Sequence, residues 1–428
     1  MTLKRIISFL LALLTLAALV SCTPEDAYTN TSEEVVETEA PEAAKLTFIE
    51  NGKTDFKVIR SEDARGYYLD TAQCVIRKLK EEYSEDFKLA EDWINPLEPD
   101  PATSHELLLF STARAESEAA TADLPDAGYL IRVTDCKIVI VGTGISQCNA
   151  ALNEFFYTVI PEYTTDGVTA LPVGLEIKRE AADEKLDLHA AIAEGKSIGA
   201  DFEVLFEYKG RDGFSSSQGA ATDGKYVYVA MKKSSGGTET DRIIKIDMET
   251  WEIVAESDEL PLDHANDMTY DPNKKCLVVT NMLNCILSVI DPETLTIVER
   301  AVPNYGTWGV GFIDGSSEYA FLASGGLTVT DKDFNALRSS PFESAEGYTG
   351  QGMDADSEYA YVPLSPNAGK SSNIIQIYDL DTGEYLGVIT VGTKMESETV
   401  FHSGNDFYMN FNTSGSKIAS LEFYVRFE

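Results

Sequence analysis

Basic residues, histidine and pairable cysteines are scarce in this chain, and each shortage removes a class of function. Its 428 residues include 34 Lys and Arg against 71 Asp and Glu, with four His, six Cys and three Trp. A net charge of −37 excludes a surface that tracks nucleic-acid phosphates and disfavours anionic lipid headgroups, because both need clustered cations. No HxH or HExxH spacing occurs, so a transition-metal centre has no ligand set, and no cofactor is expected. CxxC is absent too. Beyond Cys22, the five cysteines Cys74, Cys136, Cys148, Cys276 and Cys285 cannot all pair internally, and they read as buried free thiols. Cys276 and Cys285 flank a hairpin turn near Met282 and Leu283. Mirror symmetry about that turn sets Cys276 opposite Val289, which argues against a bridge. The long apolar run, Ile6 to Val20, is too short to cross a bilayer comfortably.

That run is informative for what surrounds it. Lys4 and Arg5 precede it and Leu19-Val20-Ser21-Cys22 ends it, the layout of a secretory signal over residues 1–21. Leu-Val-Ser-Cys resembles the lipobox of bacterial lipoproteins. The resemblance implies that Cys22 becomes the lipidated N-terminus, anchored to the membrane on the extracytoplasmic face of the cell envelope. Residues 22–44 are rich in Glu, Thr, Pro and Ala, contain no basic residue, and read as a disordered tether. Loss of the signal removes two basic and no acidic residues, taking the net charge to −39.

Two textures follow. Residues 45–181 alternate strand and helix patterns: "KLTFIE", "FKVIR", a helix over "GYYLDTAQCVIRKLKEEY", "ELLLF", and a short helix near "ESEAATADL". A strand pair turning at Thr134-Asp135, a helix "SQCNAALNEFFYTVI" and a strand "LEIKRE" complete a small α/β (α+β) layer domain. The segment Ser104 to Ile160 resembles the N-terminal accessory domain of α-glucuronidases and β-hexosaminidases. No catalytic barrel follows here, so the resemblance implies a setting in glycan metabolism rather than an activity. Gly142-Thr143-Gly144 lacks the full glycine fingerprint of a phosphate site and reads as a strand-to-helix turn. Residues 182–200 read as a linker with a short helix.

From residue 201 to 428 the pattern is all β, and it repeats. "SQGAATDGKYVYVA" and "GQGMDADSEYAYVP" belong to a five-member series anchored on Gln218, Asn266, Trp308, Gln351 and Glu398. Its steps are 48, 42, 43 and 47 residues, the length of a four-stranded propeller blade. Each anchor precedes a strand, a turn and a second strand. A third strand ends at Asp247, Asp291, Asp331 and Asp379, whose carboxylates are expected to cap their own turns. Too little chain follows Glu398 for a full blade, whereas "DFEVLFEY" is an orphan strand before the first anchor. The expectation is a five-bladed β-propeller closed end to end, with that strand completing the last blade and removing two free edges.

Inner strands of a propeller begin at one mouth of the central channel. Two rings are therefore expected there: the five anchors, and Ser216, His264, Gly306, Thr349 and Glu396 two residues before them, with Asp267 and Asp354 just inside. Convergent amides, acids, a His and one aromatic plane point to a small polar ligand, with Trp308 stacking on a sugar face. The phrases "HANDMTYD" and "QGMDAD" resemble secreted or lipid-anchored proteins of gut-type anaerobic bacteria, a resemblance that implies a fold and no activity. The leading expectation is a non-catalytic lipoprotein that binds a glycan or other polar ligand through Gln218, His264, Asn266, Asp267, Trp308, Gln351, Asp354, Glu396 and Glu398. The alternatives are a glycoside hydrolase or lyase using Asp267, Asp354 and Glu398, and a scaffold for an envelope protein partner.

Overall fold

The structure, a computed structural model, describes residues 44–94, 103–235, 238–282, 285–323, 325–370 and 372–427. The signal, Cys22 and nearly all of the tether lie outside the described residues.

The alternating texture of the first part becomes a six-stranded sheet in the order Lys88–Glu91, Lys57–Arg60, Glu106–Leu109, Lys137–Gly142, Gly128–Val133, Glu176–Glu180. Helices Gly66–Glu82, Ala115–Ala122 and Ile145–Glu154 pack against it, and a three-stranded sheet stands beside it. The parallel pairs of the central strands are almost continuous apolar runs, as strands covered on both faces should be. Edge strand Lys88–Glu91 lacks an apolar alternation, and the sequence reading missed it. The turn at Gly142 is a packing device: a Cβ there would meet the Cys148 backbone N at 2.7 Å.

The β texture becomes a propeller-like fold. Three four-stranded antiparallel sheets follow one another along the chain. The first is Ser216–Thr222, Tyr226–Ser235, Thr238–Asp247 and Ile253–Glu256. The second runs from Ala265–Asp271 to Thr296–Ala301, the third from Gly309–Phe312 to Ala336–Ser340. The remaining strands form one nine-stranded sheet. At its centre Ile198–Tyr208 pairs antiparallel with Ser416–Val425 along its length, and parallel with Ile389 to Val391 over three residues only. The orphan strand thus lies beside the last strand of the chain. It starts at Ile198, ahead of the residue 201 read from sequence, after a helix Leu188–Ala193 capped by Asp187.

The turn acids behave as their chemistry demands. Asp247 accepts the N–H groups of Glu249 and Thr250, Asp291 those of Glu293 and Thr294, and Asp379 that of Thr382. Cys74, Cys148 and Cys276 are free and buried, but Cys136 is only half-buried and Cys285 is exposed. The register places Leu277 opposite Ile290, so Cys276 does not face Val289, and Cys285 sits in the turn with φ of 52°. Finally, the end of the chain docks on the α/β layer. Tyr424 packs edge-on against Tyr67, Phe427 against Phe156, and the Arg426 guanidinium bonds both Asp70 oxygens.

Candidate functional site

The anchor residues fall where the inner strands are irregular. Register shifts occur between Ser217 and Ala220, between Ala265 and Asp267, and between Ser397 and Thr399, so Gln218, Asn266 and Glu398 each occupy a bulge. A bulge leaves backbone groups outside the ladder, and buried ones must find other partners. The side chains of Asn266, Asp267 and Asn410, and one backbone N–H, supply them. Asn266 Nδ2 donates to the carbonyls of Trp308 (2.7 Å) and Gln351 (3.0 Å). Asp267 Oδ2 accepts the N–H groups of Val310 (2.9 Å) and Met353 (2.8 Å). Gly352 N–H donates to the Glu398 carbonyl, and Asn410 Nδ2 to that of Gln218. The Asn266 and Asp267 bonds lace inner segments of different sheets together. Close approach makes glycine obligatory in the lacing: a Cβ on Gly219 would lie 2.3 Å from Asp267 Cα, and one on Gly352 would lie 2.8 Å from the Glu398 carbonyl oxygen.

Gln218, Asn266, Asp267 and Glu398 are accordingly buried. Burial holds the Asp267 carboxyl well above the usual carboxylate range despite its two backbone donors. Burial, then the neighbouring Glu396, pushes Glu398 up to about 8. Trp308, Gln351 and His264 are half-buried, and Glu396 is exposed with Oε2 accepting from Asn412. His264, at φ of 71°, pairs with Glu239 at 2.8 Å beside Lys232; burial is the main cause that lowers its pKa. Asp241, fully buried behind it, is pushed up to about 7 by burial.

Asp354 stands apart from this group, at the opposite ends of the inner strands. Its Oδ2 takes His402 Nδ1 at 2.6 Å, and His402 Nε2 reaches Asp314 Oδ2 at 3.0 Å. Burial alone would lower the His402 pKa. The two carboxylates outweigh it and push it up to about 11, so the ring is an imidazolium donating from both nitrogens. Its face stacks on Phe407 with centroids 5.3 Å apart.

This His402 centre joins two clefts. One, of about 200 Å³, is the mouth formed by the strand ends around Thr222, Tyr270, Asp314 and Asp354. The other is a groove of about 890 Å³ between the Lys185 to His189 segment and the strands Ile198–Tyr208, Asp406–Asn412 and Ser416–Val425. Asp314, His402 and Gly404 line both. On the groove wall His189 Nε2 meets Asp356 Oδ2 at 2.7 Å, and Asp356 also accepts the Tyr361 hydroxyl at 2.6 Å. Of the nine ligand residues expected from sequence, Asp354 alone borders one of these clefts. The sequence reading missed His402, Asp314, Asp356 and His189. Carrying the five-member alignment four residues past each anchor would have put His402 in line with Thr222, Tyr270 and Phe312. Among the described residues no group of three or more His, Cys, Asp or Glu is placed to hold a metal ion.

No family model and no curated protein sequence matches the chain. Among solved structures, the glutaminyl cyclase of Myxococcus xanthus is similar over 54% of this chain and 99% of its own, at 11% identity and a TM-score of 0.39. The RRP9 WD40 repeats are similar over 52% of this chain and 98% of theirs, at 9% identity and a TM-score of 0.32. The tail fiber of Staphylococcus aureus phage P68 covers 53% of this chain and 52% of its own length, at 12% identity and a TM-score of 0.39. The chain's own consecutive four-stranded sheets define its class, that of β-propeller-like proteins.

Proposed function

We propose that this chain is a lipid-anchored, extracytoplasmic binding protein. Its ligand is a glycan or comparable polar molecule, held without catalysis in the groove beside His402. The observation that carries this reading is the groove itself. It has the volume of a ligand site, aromatic and polar walls, and a charged centre at its junction with the strand-end mouth. Aromatic faces take sugar faces, and carboxylates accept from sugar hydroxyls.

In this reading the β part has five blades. The three separate sheets are the first three, and the nine-stranded sheet is two more, joined where Ile198 to Ala200 meets Ile389 to Val391. The pairing of Ile198–Tyr208 with Ser416–Val425 supports end-to-end closure. The α/β layer would be a second domain that serves as a spacer or second contact, and Cys22 carries the lipid. A hydrolase is less well supported, because Asp267 is already spent on two backbone donors and Asp354 on His402.

A glycan array with the purified chain tests the reading. Asp314, half-exposed at the junction of the two clefts, is the residue to change. Asp314→Asn should weaken binding at least about threefold, as expected for one charged hydrogen-bond acceptor. Product release from any bound glycan would replace the binding reading with an enzymatic one, and unchanged binding would move the site elsewhere.

A further inference from the structure

The groove's charges do not balance. Seven carboxylates line it against one lysine and two histidines. The bases are already committed: Lys185 to Asp406 at 2.9 Å, His189 to Asp356 at 2.7 Å, and His402 to Asp354 and Asp314. Asp187 is occupied as the cap of helix Leu188–Ala193, accepting the Ala190 N–H at 3.0 Å. That leaves Asp201, Glu203 and Glu422.

The sheet register puts these three together. Where Ile198–Tyr208 pairs with Ser416–Val425, Asp201 stands directly opposite Glu422, and Glu203 lies two residues along, opposite Ser420. Alternation then sets all three acids on one face of the two strands. Like charges directly opposite each other across a ladder destabilise it. Asp201 accepts the Phe202 N–H at 2.8 Å and the Tyr67 N–H at the start of helix Gly66–Glu82, so backbone donors serve this one acid of the three. Glu422 is held above its ordinary range by burial first, then by the charges of Asp183 and Asp201; burial also raises Asp201. Acids spread over a convex surface would be a solvated face. These line a cavity of ligand size that also contains Phe407 and Tyr408.

Resting on the reading of the groove as the ligand site, we propose that it selects a ligand bearing a protonated primary amine, an amino sugar in preference to a neutral or acidic one. An ammonium brings three donors and a positive charge to the opposed acids, whereas a neutral sugar supplies hydroxyls and no charge. The groove rings offer the same cation an aromatic face.

The experiment is calorimetric titration of the full chain at low salt with three probes: a glucosamine oligomer, its N-acetylated counterpart, and spermidine. The glucosamine oligomer should bind at least about tenfold more tightly than the acetylated one, as expected for a charge-assisted contact, and salt should erode the difference. Asp201→Asn with Glu422→Gln should abolish that preference. Lys185→Ala, at a side chain 85% exposed, frees Asp406 and should tighten binding of both amines. Equal affinity for the two oligomers, or weaker binding of amines by Lys185→Ala, overturns the amine proposal and leaves the glycan reading standing. Spermidine binding without either sugar upholds the amine proposal and overturns the glycan reading. Binding of none of the three overturns both.

Discussion

Asp267 gives the sharpest test of the lacing at the inner strands. Its Oδ2 satisfies two backbone N–H groups on two other inner segments, Val310 at 2.9 Å and Met353 at 2.8 Å, and the side chain is fully buried. Asp267→Ala orphans both donors. Each buried orphan costs about 1–3 kcal/mol, and removing a carboxyl whose Oδ1 accepts no hydrogen bond offsets part of that, so the net loss should be about 2–4 kcal/mol. Asp267→Asn keeps an acceptor in the same place. The carboxyl is protonated far above the usual range, so the amide resembles the native group and should cost no more than about 1 kcal/mol. The assay is urea unfolding of the purified chain at pH 7, followed by tryptophan fluorescence and circular dichroism. Coincident transitions are needed for a single free energy in a chain this long. If the alanine variant stayed within ~0.5 kcal/mol of the parent, a typical surface effect, Asp267 would not hold the strands together. If asparagine were as damaging as alanine, the carboxyl would be ionised and the burial argument wrong. The sign with pH follows from the raised pKa. The folded state binds a proton that the unfolded state has released, so this group's contribution falls as pH rises past about 4, and the asparagine variant should lose that slope.

Two further predictions use the other buried groups. His402→Gln breaks a buried ion pair and leaves Asp354 unpaired, costing about 3–5 kcal/mol. The folded His402 pKa is raised to about 11, so its contribution is complete below about pH 6.5 and is lost as pH rises towards 11; the variant should show a flatter stability profile between pH 7 and 10. Glu398, held up to about 8, and Asp241, up to about 7, act like Asp267: the melting temperature should fall as pH climbs from about 5 to 8, and Glu398→Gln should remove part of that fall. A melting temperature that rises over that range would contradict the assignment of either acid as protonated when folded.

What could be read from the residues was local or periodic. The alternation of apolar residues located the second strand of each repeat, as at Tyr226–Ser235 and Tyr359–Pro366, because side chains on a strand alternate whatever surrounds it. The turn acids Asp247, Asp291 and Asp379 were legible because an Asx turn is closed within a few residues. The orphan strand "DFEVLFEY" was placed beside the end of the chain by counting strands, and it pairs there. Edge strand Lys88–Glu91 and the exposure of Cys285 were not legible, since neither leaves a periodic signal.

The role of the anchors lay beyond the sequence. It shows that Gln218, Asn266 and Glu398 are equivalent and polar, and polarity at a channel reads as a ligand ring. Only the tertiary structure places them in bulges. There backbone carbonyls of neighbouring segments consume the Asn266 amide, and the Gln218 and Glu398 carbonyls take Asn410 and Gly352 as donors. The groove is likewise a tertiary fact. Its walls come from the linker, the orphan strand and the last sheet, with Lys185 meeting Asp406 across 221 positions and His189 meeting Asp356 across 167. Periodicity along a chain fixes which face a side chain takes. Which distant face it meets depends on how the sheets pack, and in this protein that packing creates both the lacing and the acidic groove.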